Sequence, residues 1–196
     1  MASPRIVFTM HASSRLDELW GAAAREKARQ LGFEVVVNPG QPPFDSAYWA
    51  AFFEGADAIL ASWGAPRLDE QVLAKCPRLQ FVGYAAGSVA GLVTPHLFER
   101  GVRVSTANRE MARSVARWTL MMTMAGLRGL LHYAQIGAAR PLEAKNQGRI
   151  RNPHECAIGI WGFGDVARAY IELLKAVLQP REILVADEYM SEEMAR

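Results

Sequence analysis

Residues 159–170 read Gly159-Ile160-Trp161-Gly162-Phe163-Gly164-Asp165-Val166-Ala167-Arg168-Ala169-Tyr170, and the rest of the chain is best understood outward from them. They close an apolar run, CAIGIW at 156–161, that has the character of a strand. They open ARAYIELLKAVL at 167–178, where Ala167, Tyr170, Ile171, Leu174 and Leu178 recur at helical spacing. A strand that passes straight into a helix through Gly-x-Gly brings unpaired amide N–H groups and the positive end of the helix dipole to one point, where a phosphate can be held. Gly162 permits the tight turn, Gly164 lets a pyrophosphate approach the backbone, and Ala167 stands where a third small residue allows close helix packing. EILVAD at 182–187 reads as the next strand and ends in Asp187, about twenty residues beyond Gly164. A carboxylate there accepts from both hydroxyls of a ribose and repels a 2′-phosphate, which selects NAD over NADP. Phe163, Asp165 and Val166 complete the candidate cofactor contacts of the turn. Asp165 sets a negative charge beside the expected pyrophosphate unless its side chain faces solvent.

Upstream, the text alternates strand and helix. Residues 5–10 form an apolar run, and Arg15 to Leu31 carries Leu16, Leu19, Trp20, Ala23 and Ala24 at helical spacing. The pattern continues as a strand at 33–37, a helix at 46–55, a strand at 56–62, a helix at 68–76, a strand at 79–85, a short helix at 94–101 and a strand at 102–107. Such alternation predicts parallel strands with helices on both faces, a doubly wound α/β sheet, and no repeat period suggests a solenoid. From Asn108 to about Tyr133 one long helix is expected, with Val115, Trp118, Thr119, Met122, Leu127, Leu130 and Leu131 on or near one apolar stripe. GAARPLEAKNQGRIRNPH at 137–154 reads as a crossing arm whose Arg140, Lys145, Arg149 and Arg151 are solvated charges rather than a phosphate site. The domain reading is therefore 1–107, a linking helix and arm at 108–155, and 156–196.

Composition narrows the function classes. A chain of 196 residues, 51% hydrophobic, can bury packed cores. Its 22 basic and 20 acidic residues are interspersed, so no single-sign field recruits nucleic acid or a membrane surface. Cys76 and Cys156 lie far apart in apolar surroundings and are expected as buried reduced thiols, which suits the cytoplasm. MASPRIVFTM lacks a signal-peptide core, and no window is apolar enough for a membrane span.

These motifs, in this order, resemble the D-isomer-specific 2-hydroxyacid dehydrogenases, and the likeness covers nearly the whole chain. KCPRLQFVGYAAGSVAGLVTPHLFERGVRVSTA at 75–107 is similar to the part of the family's flavodoxin-like substrate domain that presents a glycine-containing loop to a carboxylate. SVARWTLMMTMAGLR at 114–128 is similar to the linking helix, and GIWGFGDVARA with VADEYMS to the opening of the Rossmann NAD-binding domain. The resemblance implies that Ala86, Gly87 and Ser88, following Ala85, offer backbone N–H groups to a small 2-hydroxy or 2-oxo acid, and that Thr119 lies near the nicotinamide. It also implies NAD as cofactor and hydride transfer as the reaction. The family's Arg, Glu and His come well after the second strand of the nucleotide domain, so the chain reads as truncated within that domain. No catalytic role falls to His11, His96, His132 or His154.

The chain departs from the family pattern at Arg117-Trp118, where Glu-His is common, and at Asp165, where Arg is common. Two further readings accompany the enzyme. One is a non-catalytic relative serving as a ligand-binding or dimerisation module; the other is a homodimer packed through the Met-rich helix at 115–131.

Overall fold

The computed structural model describes residues 3–11, 14–40, 44–136 and 150–191. It divides into two compact units, Met1–Asn108 and Arg109–Arg196. The first holds the strands β1 (Arg5–His11), β2 (Glu34–Asn38), β3 (Ala58–Ala61), β4 (Phe81–Tyr84) and β5 (Arg103–Thr106) in one parallel sheet of order β2-β1-β3-β4-β5. This is the doubly wound arrangement that the strand and helix alternation predicts. Its helices are α1 (Ser14–Leu19), α2 (Ala22–Gln30), α3 (Ser46–Phe52), α4 (Glu70–Ala74) and α5 (Pro95–Glu99). Crossovers of constant hand place connections that run in opposite directions along a sheet on opposite faces. Accordingly Trp49 of α3 and Phe53 just after it, Val72 and Leu73 of α4 and Leu97 of α5 share one core with Val7, Ile59 and Val82. On the opposite face Trp20, between α1 and α2, meets Phe8 at 5.8 Å between ring centroids.

Local chemistry fixes the element ends. Asp45 accepts the Tyr48 N–H at 2.7 Å and Asp69 accepts the Val72 N–H at 3.0 Å, capping α3 and α4; each cap is worth about 1 kcal/mol. The single helix expected from Arg15 to Leu31 is two, because Gly21 adopts extended backbone and becomes the N-terminal cap of α2. Cys76 is buried as expected, its thiol pushed up to about 11 by burial. Cys156 is only half-buried, since it lies at the start of a strand that little covers.

The second unit contains α6 (Asn108–Leu127, from the last residue of the first unit), α7 (Leu130–Ile136), β6 (Ala157–Trp161), α8 (Asp165–Leu173) and β7 (Glu182–Ala186). β6 and β7 pair in parallel, from Ala157 opposite Glu182 to Trp161 opposite Ala186. The long helix expected from 108 to 133 is interrupted where Gly129 takes a positive φ of 65°. Its buried face also differs from the expected stripe. Ala116, Leu120 and Leu127 pack with Tyr170, Leu174 and Ile158, and Thr123 bonds Tyr170 at 2.6 Å between hydroxyls. Val115, Trp118, Met122, Leu130 and Leu131 are exposed instead. Small side chains won the core because they let helix α6 lie close to bulky Tyr170.

Past α8 the helix closes in a wider π turn at Leu174–Leu178, and Gln179 ends it in the left-handed region. On β6 and β7 one face, carrying Ile158, Ile160 and Ile183, packs on the helices. The other presents Trp161, 94% exposed, and Leu184, 53% exposed. Of the expected arm, residues 137–149, with Arg140, Lys145 and Arg149, lie outside the described residues; the Arg151 N–H donates to the Leu127 carbonyl at 2.8 Å.

With a pKa of about 11, Cys76 is thiolate in roughly one molecule per thousand at pH 8. Maleimide should therefore label Cys156 first, and Cys76 only on unfolding; mass spectrometry of a timed labelling series would contradict this if both reacted together.

Candidate functional site

The expected cofactor residues converge where β6 ends. The Gly162 N–H donates to the Ala186 carbonyl at 2.7 Å, carrying the β6–β7 pairing one residue past the strand. Gly162 then turns with φ +93°, a conformation that L side chains rarely adopt, which is why glycine is required. Gly164 is the N-terminal cap residue of α8 in extended backbone, and its carbonyl accepts the Arg168 N–H at 3.0 Å. A side-chain carbon placed on Gly164 meets nothing within 4 Å, so the backbone there is open to a ligand. The first-turn amides of α8 have no partners within the helix, and they carry its positive dipole end.

Asp187 stands immediately after β7. Its Oδ2 accepts the Phe163 N–H at 2.6 Å and its Oδ1 accepts the Tyr189 N–H at 2.7 Å. Strand end and glycine turn are thereby joined through one carboxylate. Asp165 is the first residue of α8, half-buried, where a helix N-terminus favours negative charge. Val166 is 39% exposed. Thr119 lies on α6, and its hydroxyl donates to the Val115 carbonyl at 2.9 Å, the usual use of a mid-helix threonine. A glycine turn leading into a helix start, with a carboxylate at the neighbouring strand end, is the arrangement that a diphosphate and a ribose require.

The expected substrate loop belongs to the first unit. Ala85 extends the sheet by donating to the Ala61 carbonyl at 2.8 Å, Ala86 is buried and Ser88 is exposed. Gly87 sits against Asn108, whose Oδ1 would lie 3.4 Å from an added side-chain carbon. Among the described residues no acceptor takes the Gly87 or Ser88 N–H, so both amides are available at the carboxyl end of β4. Of the histidines, His96 pairs with Glu99 at 3.2 Å and His154 with the Gln179 carbonyl at 2.9 Å. Among the described residues no cluster of His, Cys, Asp and Glu could hold a metal. No helix among them is long and apolar enough to cross a membrane.

Sequence reasoning missed Arg168, whose guanidinium lies 4.0 Å from the centroid of the Phe163 ring. The i, i+5 spacing of a cation and an aromatic across a helix start is the signal that would have found it.

No protein-family model and no curated protein matches the chain. Solved structures do. A phosphoglycerate oxidoreductase from Rhizobium etli is 24% identical over 98% of this chain and 58% of its own, with a TM-score of 0.71. NAD+-bound 3-phosphoglycerate dehydrogenase of Entamoeba histolytica is 17% identical over 98% and 57%, with a TM-score of 0.63. The NAD-complexed D-isomer-specific 2-hydroxyacid dehydrogenase of Lactobacillus delbrueckii ssp. bulgaricus is 14% identical over 97% and 56%, with a TM-score of 0.65. The chain thus spans less than two thirds of the length of these structures. Over that span it has the fold of the solved D-isomer-specific 2-hydroxyacid dehydrogenases.

Proposed function

We propose that the chain is the N-terminal portion of an NAD-dependent oxidoreductase that interconverts a small 2-hydroxy acid and its 2-oxo acid. The observation that carries this reading is the glycine turn at Gly162 and Gly164, joined to Asp187 through the Phe163 amide. The α8 amides would receive the cofactor's diphosphate, and Asp187 its adenosine ribose. Bound NAD would accept or return the hydride of the substrate carbon. The free Gly87 and Ser88 amides would orient the substrate carboxylate. Groups that move the hydroxyl proton are not assigned to any of the described histidines.

The bare face of β6 and β7 supports reading this as a portion of a larger nucleotide domain. Parallel strands are ordinarily covered on both faces, and here Trp161 and Leu184 face outward. The exposed Val115, Trp118, Met121, Met122 and Met124 of α6 support a homodimer.

Isothermal titration should give micromolar binding of NADH and at least about tenfold weaker binding of NADPH, since a 2′-phosphate meets the Asp187 carboxylate. No NADH binding, or preference for NADPH, would sink the cofactor reading. Sedimentation equilibrium should find a dimer that Trp118→Glu dissociates; a monomer at all concentrations would contradict the pairing.

A further inference from the structure

Phe163 is the middle residue of Gly162-Phe163-Gly164, and it is held at two points. Its N–H donates to Asp187 Oδ2 at 2.6 Å, a bond spanning 24 positions, and its ring lies beneath the Arg168 guanidinium at 4.0 Å. The other Asp187 oxygen takes the Tyr189 N–H at 2.7 Å. Two amide donors, one on each oxygen, fix the carboxylate plane. Asp187 therefore links the turn after β6 to the loop after β7 with no ligand involved.

We infer that Asp187 is a positioning residue for the phosphate turn as well as a ribose acceptor: it holds the Phe163 amide and so sets the direction of the backbone between Gly162 and Gly164. For cofactor binding this rests on the reading proposed above. An ionised carboxylate has about four acceptor sites, so ribose hydroxyls can share it with both amides. A 2′-phosphate repels the same carboxylate that holds the Phe163 amide, so rejection of NADP acts on the residue that braces the turn.

The test removes the residue and the ribose hydroxyls independently, on the full chain. ADP and 2′,3′-dideoxy-ADP are titrated into the wild type and Asp187→Ala, and amide hydrogen exchange is followed at Phe163 without nucleotide. A ribose contact alone predicts that Asp187→Ala binds dideoxy-ADP as tightly as the wild type does. The positioning role predicts about tenfold weaker dideoxy-ADP binding and about tenfold faster Phe163 exchange in Asp187→Ala. Unchanged exchange, or unchanged dideoxy-ADP affinity, overturns the inference. If the wild type binds neither nucleotide, the cofactor reading fails and exchange alone decides whether Asp187 positions the turn. If Asp187→Ala does not fold, Asp187→Asn serves: with one acceptor oxygen left, Phe163 or Tyr189 should lose protection, and full protection of both would contradict the role.

Discussion

Two parallel strands can be joined only by a crossover that returns over a face of the sheet, and each crossover takes the same hand. That constraint organises the first unit. With β2 to one side of β1 and β3, β4 and β5 to the other, α1 and α2 cover one face while α3, α4 and α5 cover the opposite one. All strands then end on the same edge, so the loop at 85–88 follows β4 where sheets of this kind receive ligands. The second unit repeats the rule once, through β6, α8 and β7.

The same geometry explains where polar groups go. Strands that end together leave amides and carbonyls without ladder partners, and these must be met by side chains, helix starts or ligands. At the end of β7 a carboxylate meets the Phe163 and Tyr189 amides, whereas at the end of β4 no acceptor among the described residues takes the Gly87 and Ser88 amides. One site is braced by the protein's own charge. The other keeps two backbone donors at the sheet edge.

Much of this was legible in the sequence because strands are apolar runs punctuated by glycine. Gly55, Gly101 and Gly162, all at positive φ, mark ends of elements that periodicity alone would blur. The helix breaks at Gly21 and Gly129 were not legible, since an isolated glycine inside an apolar pattern is also tolerated within a helix. The buried face of α6 was misread for a different reason. Large residues such as Trp118 and Met122 dominate any hydrophobic pattern, while the face that packs runs through Ala116, Leu120, Thr123 and Leu127, where Ala116 and Thr123 add little to such a pattern. The motif located Gly162, Gly164 and Asp187, but nothing in their spacing tells that Asp187 turns back onto Phe163. That bond depends on the register of two strands, a tertiary fact.

On the proposed reading the β6–α8–β7 unit forms one side of a dinucleotide cradle. A crystal structure of the chain grown with NADH decides this. The diphosphate is expected over the Gly164 backbone at the start of α8, with the adenosine ribose hydroxyls on Asp187 and the Phe163 bond retained. A cofactor bound elsewhere, or a turn left empty at saturating NADH, would contradict it.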